Sequence, residues 1–333
     1  MNDMVVAQRR RLGQSGPEVS AIGLGCMSLS GVYGTSDDQA GIALIHRAID
    51  LGVDHFDSSD MYGWGQNEEL LGRALKGRRD GIVIASKFGQ TQRPGGANGV
   101  DGSPADIAQA CEASLKRLGV ETIDLYYQHR VDPAVPVEET VGAMAKLVEQ
   151  GKVRFLGLCE ARPERIRRAH AVHPIAAVQS EFSLLYREEA TETRKLTSDL
   201  GISFFAYAPL GRSLLAGVIP DLAHLDTGDT RGRHPRFMGD NFPKNRVLVE
   251  RIEKIARQKE CTPAQLVLAW LLAQGPDVIP IPGTKRISRL EENLGALDVR
   301  LTAADINRIS AAIPIGAAAG TRYPEGGMRG VYI

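Results

Sequence analysis

The sequence predicts a single α/β domain over residues 1–333, closed as a (β/α)8 TIM barrel, and three observations predict it. Eight short apolar runs alternate with stretches of helical period, with no repeat in the letters themselves. Strictly alternating strands and helices imply a parallel sheet. Eight such units fit within residues 21–312, room enough for a barrel of about 250 residues. A hairpin over about residues 10–20 precedes the barrel, and a tail over about 313–333 follows it.

In order, a Gly/Ser/Pro turn at 13–17 separates two short strands, 10–12 and 18–20, the pattern of a hairpin. The first barrel strand is 21–25. Residues 37–51 form a helix, with Ile42, Leu44, Ile45 and Ala48 on one side. A strand over 51–56 runs into Asp57, and 67–75 forms the next helix. Residues 81–87 are a short apolar run ending in Lys87, the mark of a buried parallel strand. Ser103, Pro104 and Asp106 open a helix to about Leu118, a capped start with proline in the first turn.

The strand 123–129 ends in His129, and the helix 137–150 is stopped by Gly151. Strand 153–158, helix 163–170, strand 176–179, helix 188–200 and strand 202–207 follow. The irregular stretch from Pro209 to about Pro243 is too long for a connector and reads as a functional loop. Helices over 245–259 and 263–273 lead to the strand 278–281, and a helix over 288–294 closes the alternation.

Composition narrows the function. Hydrophobic residues make up 43% and charged residues 24%, as in a soluble globular protein. Forty Lys+Arg balance forty Asp+Glu, so no overall field recruits nucleic acid or a membrane surface. No run approaches the roughly eighteen apolar residues of a membrane span, and residues 1–6 lack a signal-peptide pattern. Cys26, Cys111, Cys159 and Cys261 are scattered without a Cys-x-x-Cys pair. Reduced thiols, a cytoplasmic location and no metal site are the expectation.

One local feature speaks for an open, doubly wound sheet instead. Gly23-Leu24-Gly25-Cys26-Met27-Ser28 resembles the start of a dinucleotide-binding fingerprint, but its third position is Ser and no acidic residue ends a next strand about twenty residues on. In a barrel these glycines let the chain turn tightly over the mouth.

Chemistry in a barrel gathers at strand C-terminal ends. Asp57 follows the second strand with Tyr62 in the loop beyond, Lys87 ends the third and His129 ends the fourth. Lys87 closes a buried run, where an ammonium needs a partner. Each residue alone has a bland reading as a turn, an ion pair or a packed histidine. Together they make a plausible proton-donating site.

These residues carry a resemblance. From the Arg11-Leu12-Gly13 hairpin through about residue 312, the sequence resembles the aldo-keto reductase superfamily. The matching motifs are the run from Gly52 to Gly63, Ala85-Ser86-Lys87, the run from Leu115 to Gly119 and that from Asp124 to Arg130. Gly151-Lys152-Val153-Arg154, Pro282-Gly283-Thr284-Lys285 and Glu291-Glu292-Asn293 complete them in the family's order. Within the superfamily the chain most resembles the plant auxin-induced-like and microbial aldehyde reductases.

The resemblance implies a catalytic tetrad of Asp57, Tyr62, Lys87 and His129, and a nicotinamide dinucleotide laid across the barrel mouth. A free phenol titrates near 10 and is a reluctant acid at neutral pH. A nearby ammonium is expected to lower that value, with Asp57 orienting Lys87 and His129 polarising the carbonyl oxygen.

For the cofactor, the resemblance places Gln179 at the carboxamide, Tyr207 against the nicotinamide face, and Glu292 and Asn293 at the adenine. Gly283, Thr284, Lys285, Ser288 and Arg289 match the adenosine-phosphate segment. Ser288 is expected to cap the helix that begins there. The charges of Lys285, Arg286 and Arg289 favour a 2′-phosphate, hence NADPH/NADP+. Gly25, Met27, Pro209, Leu210, Gly211 and Leu215 are expected near the cofactor through backbone or packing.

Two departures stand out. Many relatives carry Ser-Asn where this chain has Cys159-Glu160, so Glu160 is expected to accept from the carboxamide NH2. Arg212 stands where relatives often have a Gly-containing run, and it either reaches the pyrophosphate or is an exposed loop charge.

Trp64, Phe88, Tyr126 and the loop 182–186 are expected to wall a pocket for a small carbonyl substrate. The Gly/Arg/Pro-rich stretch 228–237 reads as a mobile flap or a disordered loop, and the tail from Tyr323 as a possible border of the pocket. The leading reading is an NADPH-dependent carbonyl reductase. A cofactor-binding regulatory β subunit and a reductase run in the direction of alcohol oxidation are the alternatives. The oligomeric state is open.

Overall fold

The computed structural model describes residues 8–92, 98–217, 222–328 and 330–333. The expectation for residues 1–6, and residues 218–221 of the long loop, lie outside the described residues.

β1 (Arg9–Arg11) and β2 (Glu18–Ser20) form the antiparallel hairpin, with Arg9 opposite Ser20. Its apolar residues Leu12 and Val19 pack into the barrel interior beside Val83, Leu125, Tyr127 and Phe205, closing one end. The barrel then begins with β3 (Leu24–Gly25), β4 (His55–Asp57) and β5 (Val83–Phe88). A small antiparallel hairpin, β6 (Gln90–Gln92) with β7 (Asn98–Val100), follows and was not predicted. β8 (Ile123–Gln128), β9 (Val153–Cys159), β10 (Ile175–Glu181), β11 (Ser203–Tyr207) and β12 (Val278–Pro280) complete the sheet.

All eight barrel strands pair in parallel, in the order β3-β4-β5-β8-β9-β10-β11-β12. Backbone hydrogen bonds from Gly23 N to Pro280 O (3.0 Å) and from Gly25 N to Pro282 O (3.3 Å) join the last strand to the first. The sheet is therefore closed, and the doubly wound alternative is excluded. The glycines serve a close approach of backbones: a Cβ on Gly25 would lie 2.8 Å from Ile281 O, and one on Gly283 2.8 Å from Gly25 O.

The helices surround the sheet. α1 (Asp38–Asp50) is capped by Asp37, whose carboxylate accepts from Ala40 N, and α2 (Gln66–Leu75) follows the site loop. α3 (Pro104–Leu118) has the expected Ser103 cap and ends at Gly119, whose φ of 65° suits glycine. α4 (Val137–Glu149), α5 (Pro163–Val172) and α6 (Glu188–Asp199) lie close to their predicted bounds. α7 (Asn241–Gln258) starts earlier than expected, and α8 (Pro263–Leu272) is opened by a Thr262/Gln265 capping box.

In α9 (Ile287–Leu294) the N-cap is Arg286, so Ser288 is the second helical residue, exposed, and not the cap. Thr284 Oγ1 instead accepts from Arg286 N at 3.1 Å. α10 (Ala303–Ala312), with its Thr302/Asp305 capping box, is an element the sequence reading left out. The long loop is built of short 3-10 turns, including Leu214–Ala216, Thr230–Arg233 and Pro235–Phe237. Thr230 N donates to Val32 O, and Arg231 donates to Ser213 Oγ, so stretch 228–237 is an ordered part of the mouth.

Candidate active site

Strand parity decides what faces the barrel axis. On β5, Val83 and Ala85 join the interior cluster, which puts Lys87 on the same face and Phe88 on the opposite one. Lys87 is fully buried, and its ammonium has three donors. They reach Asp57 Oδ1 at 2.5 Å, Ser58 O at 2.6 Å and Tyr62 OH at 3.3 Å. Asp57, the last residue of β4, holds Lys87 with one oxygen and accepts from Gln179 Nε2 (2.8 Å) with the other. Tyr62 opens a tight 3-10 turn in which Gly63 (φ 59°) and Trp64 (φ 50°) both take left-handed backbone.

His129 directly follows β8 and is fixed by its backbone N–H to Phe88 O at 2.8 Å. Its Nδ1 lies 3.0 Å from Ser59 Oγ, and its ring meets the Tyr62 ring edge-on at 5.9 Å. The four residues expected from the sequence are thus brought together. Ser59, which the sequence reading passed over, joins them.

Electrostatics fix their charge states. Burial would discharge Lys87, but Asp57 and Tyr62 outweigh it and raise its pKa above the usual lysine value. Burial pushes the Tyr62 phenol up to about 12, with Lys87 only partly offsetting it. The expected lowering by the ammonium is therefore present but is not the dominant effect. His129 is held well below the usual imidazole range, first by burial and then by Arg130 and Lys87, so it is neutral at physiological pH.

Asp57, Tyr62 and His129 of this cluster line a cavity of about 1330 Å³, above the roughly 300–1,000 Å³ of a drug-sized site, while Lys87 and Ser59 are buried outside its lining. Gly25, Met27, Gln179, Tyr207, Pro209 and Leu210 line it, as does Arg212. At its far end stand Gly283, Thr284, Lys285, Arg289, Glu292 and Asn293. Lys285 Nζ donates to Tyr33 O and Thr35 O, both at 2.8 Å, and Arg289 pairs with Glu292. With Arg286, Lys285 and Arg289 give this end three cationic side chains, a donor set suited to a phosphate. Gly25 and Gly283 stand beside one another here, backbone against backbone, with no room for a Cβ on either. These residues fit a phosphorylated dinucleotide.

Other expectations are corrected. Phe88 and Tyr126 do not line the cavity; they stack on one another at 5.1 Å between sheet and helices, because Lys87 and Tyr127 take the inward positions. Trp64 stands outside, 46% exposed on its strained turn. Gly211 packs against Leu185, and Leu215 is a core residue beneath the loop. Ser288 faces solvent. Cys159 points into the barrel interior, and burial pushes its thiol up to about 12.

Glu160 does not line the cavity either. It is buried at a φ of 55°, pairs with Arg322 through both carboxylate oxygens and accepts from Glu181 N. Arg322 also reaches Glu181 at 3.0 Å and Tyr207 OH at 2.7 Å. The next residue, Tyr323, places its hydroxyl 2.9 Å from that of Tyr207. The tail therefore borders the cavity through Tyr323, Pro324, Gly326, Gly327 and Gly330, latched by one arginine that no sequence motif had singled out. Arg212 is no exposed loop charge: it donates to Tyr33 OH at 3.0 Å and covers the Tyr323 ring at 5.0 Å.

Comparison with known proteins agrees with this architecture. The Aldo/keto reductase family profile matches residues 21–314. Over 318 residues the chain is 49% identical to the probable aldo-keto reductase 1 of Glycine max, covering 95% of this chain and 92% of that protein. It is 46% identical over 323 residues to the aldo-keto reductase yakc of Schizosaccharomyces pombe, named as an NADP(+) enzyme, covering 95% and 94%. Among solved structures, the glycerol dehydrogenase AKR11B4 from Gluconobacter oxydans superposes with a TM-score of 0.83 at 28% identity, over 94% of this chain and 95% of that one. The aldo-keto reductase AKR11C1 from Bacillus halodurans gives 0.77 at 27% identity, over 94% and 98%.

Proposed function

The chain belongs to the aldo/keto reductase family, and from that premise we propose that it reduces aldehydes or ketones to alcohols with Tyr62 as proton donor. It is an NADP-dependent oxidoreductase. The observation that carries the reading is the placement of one ammonium, Lys87, between a carboxylate and a phenol on the cavity floor.

Carbonyl reduction needs a hydride at carbon, which bound NADPH supplies, and a proton at oxygen. The proton comes from Tyr62, which burial keeps protonated across the physiological range. As the proton leaves, Lys87 stabilises the phenolate, and Asp57 keeps Lys87 charged and in place. Gln179 anchors the second oxygen of Asp57, so the pair cannot swing toward the substrate. Ser59 donating to His129 Nδ1 leaves the proton on Nε2, which donates to the carbonyl oxygen as charge develops there. Run backwards, the same groups oxidise an alcohol.

Lys285, Arg286 and Arg289 hold the 2′-phosphate end, and Tyr207 sets the nicotinamide face. Arg322 and Tyr323 fix the Tyr207 hydroxyl, which locks that ring's position. The test is NADPH consumption with a panel of neutral aldehydes and ketones, with the alcohol product identified. Turnover with NADPH well ahead of NADH is expected. Tight NADPH binding with no turnover of any carbonyl compound would favour the regulatory-subunit reading instead.

A further inference from the structure

Among the described residues, one cation beside the proton-donating cluster has no charge partner. Arg130 follows His129 directly, lines the cavity and is only 9% exposed. Its single hydrogen bond runs from Nη1 to His129 O at 2.9 Å, and among the described residues it makes no ion pair. A guanidinium carries five N–H donors, so most of this fork is unmatched by the described residues. The buried carboxylates around it are committed elsewhere: Asp57 to Lys87, Glu160 to Arg322, and Glu181 to Arg236 and Arg322. Asp132, on the same loop, accepts from Gly102 N and Ala134 N.

The free donors of Arg130 open onto the cavity, and a planar fork is suited to bidentate recognition of a carboxylate. The local field agrees. Burial opposes ionisation of the Tyr323 phenol, yet Arg212, Arg130 and Arg322 together pull it below the usual tyrosine value. Arg212 belongs to the phosphate end, because Tyr33 links it to Lys285. Arg130 instead belongs to the end where Tyr62 and His129 meet.

Resting on the reductase reading above, we propose that the substrate is an oxo acid whose carboxylate is bound by Arg130 while its carbonyl oxygen meets Tyr62 and His129. The carbonyl and the carboxylate then sit on neighbouring residues of one loop, and Arg130 orients the substrate without taking part in proton transfer.

The experiment compares acids with their neutral esters at saturating NADPH: succinic semialdehyde and para-carboxybenzaldehyde, each against its methyl ester. In the native enzyme, kcat/KM should favour at least one acid over its ester by about tenfold or more, as a hydrogen-bonded charge pair allows. Arg130→Gln should bring that ratio close to one through KM of the acid, and Arg130→Lys should leave it in between. Gly330 packs on the Arg130 stem, so a merely structural role would slow acid and ester alike and leave the ratio unchanged. An unchanged ratio, a native preference for both esters, or a rise in KM for NADPH in place of KM for the acid overturns the proposal. If no carbonyl compound at all is reduced, the reductase reading fails separately. Binding of benzoate against benzamide to the protein with NADP+ then decides the anion site, equal affinities removing it.

Discussion

Ser59 Oγ stands 3.0 Å from His129 Nδ1, so one serine hydroxyl sets which imidazole nitrogen carries the proton. That hydroxyl is also 3.2 Å from Asp60 Oδ1, and it has only one hydrogen to give.

Asp60 makes this choice sensitive to pH. Its carboxyl is pushed up to about 7, chiefly by burial and then by Glu68. Below that value Asp60 is neutral and the Ser59 hydrogen goes to His129 Nδ1; above it the carboxylate claims that hydrogen and Nε2 loses its proton. The kcat/KM for a neutral aldehyde is expected to fall as pH rises through about 7, and Asp60→Asn to flatten that limb. Ser59→Ala should lower kcat roughly five- to tenfold with KM for NADPH unchanged. A limb that survives in Asp60→Asn contradicts the assignment.

The same group couples to stability. Its folded value lies above the unfolded one of about 3.9, so its stabilising effect is full below 3.9 and lost as pH rises through about 7. Asp60→Asn should therefore raise Tm at about pH 8 while changing it little at about pH 3. Equal shifts at both ends would remove the linkage.

Lys87 and Asp57 are a buried pair, and breaking such a pair from one side costs about 3–5 kcal/mol. Lys87→Met should destabilise by about that amount, whereas Lys87→Met with Asp57→Asn should recover part of the loss. Urea unfolding of the single and double variants reads this directly. Additive losses would mean that the two do not act as a pair.

Arg322→Gln should free the tail. It leaves Glu160 without its ion pair, at a cost of about 3–5 kcal/mol, and exposes residues beyond 313 to limited proteolysis. Burial opposes ionisation of Glu181, but Arg236, Arg322 and Arg212 outweigh it and hold its carboxyl at about 2. Its contribution is therefore full above the unfolded value of about 4.3 and is lost as pH falls toward 2. A tail equally resistant to protease in Arg322→Gln would show that the latch lies elsewhere.

The cluster was legible in the sequence because Asp57, Lys87 and His129 each lie within one residue of a strand end, and strand ends meet at the barrel mouth. What failed was parity. Once Lys87 points inward, Phe88 cannot, and counting by twos from Val83 would have excluded Phe88 from the pocket; the pairing of Lys87 with Tyr127 on the next strand turns Tyr126 outward as well. Glu160 was misread for another reason: its partner, Arg322, lies 162 residues away, and no local pattern announces that pairing. Ser288 shows the ordinary uncertainty of helix ends, since the helix starts two residues earlier than a cap at Ser288 would have it.

Charge at the far end of the cavity should choose the cofactor. Removing Lys285 and Arg289 together is expected to raise KM for NADPH at least tenfold while moving KM for NADH much less. Equal effects on both would detach these residues from the 2′-phosphate.

Single-turnover hydride transfer in Tyr62→Phe tests the central claim most directly. With NADPH affinity measured separately by fluorescence quenching, the rate with a neutral aldehyde should fall by about 10²–10⁴-fold while the affinity stays unchanged. A rate within a few-fold of the native enzyme would place the proton donor somewhere other than Tyr62.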